Sequence, residues 1–217
     1  CNEALIDLIK GELHDKPIFI ADGHHRYEVA IEFRKGKGPG PWDYVLMFLT
    51  NMSDEGITVL PAHRLVRGIE SSEKVLQKLA SDFIINSAAG NNIDNVLKDG
   101  GKGTFGFYAK DSGQWHVLKF KDEKVAGVDP VLSGLDVVIL HEQIFKRSLG
   151  IEDIAYEMNL HEAVGMVNKG IFDGLFCLNP TGVKDVERVA LSGLRMPPKS
   201  TYFYPKLLTG MVINKFR

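Results

Sequence analysis

Apolar positions at Ala4, Leu5, Leu8 and Ile9 follow helical spacing, so the chain is expected to open on a helix. Pro17 to Ile20 then predicts a short strand and Asp22-Gly23 a turn. Tyr27 to Lys35 predicts a helix with Tyr27, Ala30 and Ile31 on one face. After the loop Gly36 to Pro41, the unbroken apolar run Tyr44 to Asn51 suits a buried strand. Short strands are expected at Ile57 to Leu60 and His63 to Val66, either side of Pro61. Ser71 is placed to cap a helix carrying Val75, Leu76, Leu79 and Phe83. Phe105 to Ala109 and Trp115 to Phe120, joined by Asp111-Ser112-Gly113, predict a hairpin. Asp129-Pro130 reads as a helix start, with the helical pattern ending at Gly150. The last third alternates: a helix Leu160 to Asn168 stopped by Gly170, a strand Gly174 to Leu178, and a helix Val183 to Leu191 stopped by Gly193.

This order of elements argues for a mixed α/β or α+β fold. The Gly/Asn-rich stretch Ala88 to Gly103 is the best internal boundary, dividing residues 1–87 from 88–217, although one continuous domain fits the pattern as well. The chain starts on Cys1 and goes straight into a helical pattern, which implies further residues upstream.

Composition narrows the partners. A formal net charge of −2 removes the global electrostatic argument for nucleic-acid binding. No apolar run is long enough to span a bilayer and the start lacks a signal-peptide pattern, so a cytoplasmic protein is expected. Two cysteines, Cys1 and Cys177, are too few for a disulfide scaffold, and Cys177 in the apolar run Leu175 to Leu178 reads as a small core residue.

Three stretches carry candidate chemistry. Asp22, Gly23, His24, His25, Arg26 and Glu28 crowd a strand-to-helix turn. There the opening N–H groups and the positive end of the helix dipole suit a phosphate. Arg26 can hold a phosphate in a bidentate fork, and Asp22 can bind Mg²⁺ or accept a proton from an attacking hydroxyl. The plainer alternative is that Asp22 only caps the helix on a solvated face. In the second stretch, His63 and Arg64 repeat the His-Arg pair after a proline, a pattern that a β-turn would explain equally well. The third stretch, Met196 to Lys206, sets Lys199, Ser200 and Thr201 where they could contact phosphate oxygens or Mg²⁺, without the glycine spacing of a P-loop. An aromatic edge segment packed on the core is its alternative reading.

Taken together, ADGHHRYEVA, LTNMSDEGITVLPAHRLV and MPPKSTYFYPKLLTG resemble a prokaryotic family described as a domain of unknown function and numbered one thousand and fifteen. Members of that family extend further at the N-terminus. More distantly, the DGHHR turn resembles the ParB/sulfiredoxin superfamily, which implies a strand-turn-helix nucleotide-binding core with an added α/β lobe. Sulfiredoxin keeps its nucleophilic cysteine where this chain has His24, a departure that argues against thiol chemistry. Free serine kinases of the same superfamily carry Asp-Gly-His-x-Arg, which Asp22, His24 and Arg26 match. ParB proteins bind CTP at the equivalent turn but add a helix-turn-helix reader, and no such basic helix pair is evident in this sequence.

The resemblance implies an ATP- or ADP-dependent phosphotransferase, with Mg²⁺, acting on a small hydroxyl compound, free L-serine being favoured. Arg26 and the N–H groups of Gly23 to His25 are expected on the phosphates, Asp22 on the metal or acceptor hydroxyl, and His24 on the transferred phosphoryl group. Glu28, His63, Arg64 and Lys199 stand second. The acidic base that such kinases carry near the N-terminus could lie upstream of Cys1. A nucleotide-binding regulatory module without turnover is the main alternative, and a ParB-like DNA-associated switch or nuclease a more remote one.

Overall fold

Alternation along single strands decides how the core is built. In Gly174–Leu178, Leu175 and Cys177 join one buried apolar cluster while Phe176 and Leu178 join another; in His63–Val66, Leu65 and Val66 divide the same way. Successive side chains of a strand point to opposite faces, so both faces of this sheet are covered.

The computed structural model describes residues 2–51, 58–88, 92–206, 208 and 210–215. Contacts group the chain into two units, one of residues 1–50 with 207–217 and the other of residues 51–206. The strands of the larger unit are β1 (Thr58–Leu60), β2 (His63–Val66), β3 (Phe83–Ala88), β4 (Thr104–Ala109), β5 (Trp115–Phe120), β6 (Ile154–Glu157), β7 (Gly174–Leu178) and β8 (Tyr202–Tyr204). Six of them form one sheet in the order β3-β5-β4-β7-β2-β6, every neighbour antiparallel, and β1 pairs separately with β8. The sheet thus takes strands from both sides of residue 88.

Within this unit, α4 (Ile93–Gly100) and α6 (Leu160–Asn168) supply Ile93, Leu97, Ala163 and Val167 to the Leu175 and Cys177 side. α3 (Ser72–Leu79) and α7 (Val183–Leu191) supply Val75, Leu79 and Val189 to the other side. They are joined there by Ile139, Leu140, Ile144 and Phe145 from the long helical segment before Gly150. Phe176 is the centre of that second layer, stacked on Phe107 at 4.7 Å and edge-on to Phe145 at 5.1 Å. Burying a side chain of this size contributes roughly 1.5–3 kcal/mol, so the central strands β4 and β7 anchor the unit.

The hairpin, the helices over Leu160–Asn168 and Val183–Leu191, the strand Gly174–Leu178 and the core placement of Cys177 are found as expected. Ser71 caps α3, its side chain accepting from the Lys74 N–H. Several expectations need correction. Phe83 belongs to β3 rather than to the helix before it, and Ile93–Gly100, inside the Gly/Asn-rich stretch, is a helix with Ile93 and Leu97 buried. Asp129-Pro130 starts a turn in which the Asp129 carboxylate accepts the Val131 N–H at 2.8 Å; the helix begins only at Asp136. α5 (Asp136–Val138) passes at once into an 11-residue π-helix, Ile139–Leu149, ended by Gly150 in the left-handed region. Ile57 lies outside the described residues, as do the neighbouring positions 52–56.

The smaller unit holds α1 (Glu3–Leu13), capped by the Asn2 side chain, and α2 (His24–Arg34). A 3₁₀ turn at Pro41–Asp43 is tied to α2 by an Arg34–Asp43 hydrogen bond, and Lys37 sits over the Phe33 ring at 3.8 Å. Pro17–Ile20 and Tyr44–Asn51 are not strands: neither pairs with another segment among the described residues, and Ile18, Tyr44 and Phe48 are exposed. Apolar character alone gives no ladder of hydrogen bonds. Among the described residues no helix is long and apolar enough to cross a membrane.

Candidate functional site

The DGHHR turn is set by one glycine. Gly23 is the N-cap of α2 with φ of 90°, so the helix opens at His24, three residues earlier than the apolar spacing suggests, and Asp22 is not its cap. The opening N–H groups of His24, His25 and Arg26 have no carbonyl one turn earlier in the helix to bond. Arg26 turns back over the glycine and its Nη2 donates to Asp22 Oδ2 at 3.4 Å, with both side chains more than half exposed. A Cβ at Gly23 would lie 2.9 Å from the Arg26 guanidinium, so the glycine provides both the left-handed turn and the space for that fork. His25 Nδ1 lies 3.5 Å from Glu28 Oε2, while His24 is exposed. The turn therefore offers solvent a fork of N–H donors, the start of a helix, two imidazoles and a carboxylate.

In the larger unit, β2 buries the second His-Arg pair. Arg64 is 1% exposed. Its Nη1 donates to the Ala62 carbonyl, its Nη2 to the Lys199 carbonyl at 3.3 Å, and its Nε to His141 Nε2 at 3.4 Å, with the guanidinium carbon 5.4 Å from the centre of the Tyr156 ring. Burial lowers the Arg64 pKa to about 10, which leaves it charged at neutral pH. Burial first and the adjacent guanidinium second push both His63 and His141 down to about 4, so both are neutral and His141 accepts from Arg64. His63 Nδ1 is buried with no hydrogen-bond partner among the described residues.

The same cluster fixes the third stretch. Lys199 has φ of 58°, in the region that non-glycine residues rarely occupy. Three bonds hold the segment there: Arg64 to the Lys199 carbonyl, Thr181 Oγ1 to the Ser200 carbonyl at 2.8 Å, and Ser200 Oγ to the Pro197 carbonyl at 2.6 Å. Ser200 is buried, Thr201 half-buried, and the Lys199 side chain is exposed.

The model of the family described as "Protein of unknown function (DUF1015)" matches residues 1–138. The chain belongs to this family. The part matched to DUF1015 contains both the Asp22–Glu28 turn and His63-Arg64, whereas His141 and Lys199–Thr201 lie beyond it. No curated protein matches. Among solved structures, a free serine kinase mutant in complex with AMP is 14% identical over 93% of this chain and 78% of its own, with a TM-score of 0.53. A second mutant with ADP gives 15% identity, the same coverages and a TM-score of 0.51. A conserved hypothetical protein from Pyrococcus furiosus gives 16% identity over 93% and 82%, with a TM-score of 0.50. At these identities the likeness shows the fold, and this DUF1015 member is a mixed α/β protein with the fold of structures solved with bound nucleotide.

Sequence reasoning missed His141 and Tyr156. Their ring planes lie within 13° of parallel at a centroid distance of 6.4 Å, and both pack on Arg64. His141 sits in a run whose apolar spacing reads as ordinary α-helix, and Tyr156 in an edge strand too short to stand out. The usable signal was a buried-type arginine on an apolar strand with no acidic neighbour in sequence.

Proposed function

We propose that this protein is a nucleotide-dependent phosphotransferase acting on a small hydroxyl compound, with free L-serine the favoured acceptor and ATP or ADP the donor. One observation carries the reading: Arg26 folds back over the left-handed Gly23 at the open start of an 11-residue helix. This sets a guanidinium fork beside the start of a helix, and the two together suit a phosphate chain. The fold shared with AMP- and ADP-bound free serine kinases supports it.

In this reading the N–H groups of His24 and His25 and the Arg26 fork hold phosphate oxygens, and His24 neutralises charge on the transferred group. The acceptor oxygen forms a bond to the terminal phosphorus as the bond to the departing nucleotide oxygen breaks, and the hydroxyl proton passes to a carboxylate, with Asp22 or Glu28 in range of the turn. Among the described residues no three His, Cys, Asp or Glu side chains group as a metal cage. Mg²⁺ fits here only as it does with many nucleotides, held by the phosphates and one carboxylate, which would be Asp22. There it would screen the phosphate charge. Within the larger unit, Lys199 and Thr201 are second-rank candidates for contacting an anion, whereas Ser200 is buried with its hydroxyl donated to the Pro197 carbonyl, and His63 and Arg64 are buried on β2.

The test is direct. The full-length protein is incubated with ATP, ADP or CTP, Mg²⁺ and a pool of hydroxy amino acids, and phosphorylated product is sought by mass spectrometry. Product with wild type, its loss with His24→Ala, and loss of nucleotide binding with Arg26→Ala are expected. If no product forms while nucleotide raises the melting temperature, the kinase reading fails and a binding module without turnover stands in its place.

A further inference from the structure

At the end of the sheet where β4 begins and β7 ends, the larger unit carries a half-open cavity of about 250 Å³. Its walls come from the loop before β4 (Lys102), the start of α5 (Asp136) and the loop between β7 and α7 (Asn179, Thr181, Gly182), with Asp185 from the first turn of α7. None of these residues belongs to the DGHHR turn, and only Thr181, through its bond to the Ser200 carbonyl, touches the segment that Arg64 holds.

The bonds already made decide what the walls can still offer. Asn179 spends its Nδ2 on the carbonyls of Leu97 at 2.7 Å and Gly101 at 3.4 Å, which leaves its Oδ1 as an acceptor. Thr181 spends its hydroxyl proton on Ser200, leaving oxygen lone pairs. One Asp136 oxygen accepts the Gly103 N–H at 2.7 Å and the other has two lone pairs to fill; burial raises this carboxyl above its ordinary range. On the donor side stands the Lys102 ammonium, which reaches Asp185 at 2.9 Å and keeps further N–H bonds to give.

Charge excludes the commoner ligands. A phosphate would face two carboxylates. A metal cation would have to displace Lys102 and Arg188, both bonded to Asp185 at 2.9 Å, and among the described residues no group of three metal-ligating side chains forms. Suited to these walls is a neutral molecule whose groups both donate and accept, and hydroxyls do so. Leu135 and Pro180 add apolar surface for its carbon-bound hydrogens. The volume lies just below the roughly 300–1,000 Å³ of pockets for drug-sized ligands, so a whole nucleotide is too large.

We infer that this cavity is a binding site for a neutral polyol of monosaccharide size, held by Asp136, Asn179, Thr181 and Lys102. The inference does not depend on phosphotransfer, since binding here needs neither nucleotide nor turnover. Gly182 gives a clean way to block it: its φ is −67°, open to any residue, and an added Cβ meets only an Asp185 oxygen at 3.7 Å.

The experiment uses the full chain with D-ribose, D-glucose and myo-inositol as probes, and L-alanine and acetate as charged controls, read by saturation-transfer NMR and calorimetry. At least one polyol is expected to bind wild type, to lose at least tenfold in affinity with Asp136→Ala, and to give no signal with a folded Gly182→Phe. Should Asp136→Ala unfold, Lys102→Met at the exposed rim replaces it, with a smaller loss expected. The proposal is overturned if no polyol binds wild type, if binding survives in Gly182→Phe, or if acetate or alanine competes for the same place.

Discussion

The guanidinium of Arg64 donates to the main-chain carbonyl of Lys199 across 135 positions of sequence, at 3.3 Å. It holds the Ala62 carbonyl with the same fork and is 1% exposed, so it acts as an internal strut for the loop that carries Lys199. Arg64→Ala removes the donors from two carbonyls and leaves a void. A loss of about 3–5 kcal/mol is expected in urea unfolding. Arg64→Lys should recover only part of it, because an ammonium cannot span the planar fork; full recovery would show that the charge alone matters.

Acid should destabilise the larger unit in a defined window. His63 titrates near 6.5 when unfolded and at about 4 when folded. Between those values the unfolded chain binds more protons, so stability is complete above about pH 6.5 and is lost as pH falls toward 4. His63 accounts for about 3 kcal/mol of this loss, and His141, also at about 4, acts in the same direction. Urea midpoints for wild type and His63→Gln at pH 7.5 and 4.5 check the sign: the variant should depend less on pH.

Gly23→Ala tests the turn. The left-handed backbone charges an alanine about 1–2 kcal/mol, and the new methyl meets the Arg26 guanidinium at 2.9 Å. Nucleotide affinity, measured by calorimetry, should fall about tenfold, the equivalent of one weakened charge-assisted hydrogen bond of about 1.4 kcal/mol. Unchanged affinity would place the phosphates elsewhere.

Lys199→Gly separates stability from binding. Glycine accepts φ of 58° without steric cost, so the variant should be more stable by about 0.5–1 kcal/mol. If the Lys199 ammonium contacts phosphate, the same variant binds nucleotide more weakly; a stabilised variant with wild-type affinity would reduce Lys199 to a loop residue.

How far the chain could be read in advance depends on whether a signal is local. Leu160–Asn168 and Val183–Leu191 emerge with their expected ends because an apolar stripe and a stopping glycine both lie within the segment. Phe83 fell on helical spacing by coincidence, and its pairing with Phe120 on β5 decides that it is strand. Tyr44–Asn51 is apolar enough for a strand but finds no partner among the described residues. The π-helix repeats the same apolar spacing as an α-helix over so few turns that periodicity cannot separate them. For the candidate sites, the turn at Asp22–Arg26 is contiguous and therefore visible, whereas Arg64 meets His141 from 77 positions away, a distance no spacing rule spans.

Cys177 sits on β7, the strand between β4 and β2, with no exposed surface and its thiol pushed up by burial. A thiolate reagent can reach it only when the central strands separate. Its labelling rate is therefore a clock for opening of the whole sheet, built into the chain without any engineered probe. Small molecules that occupy the larger unit should slow that clock in proportion to how tightly they bind.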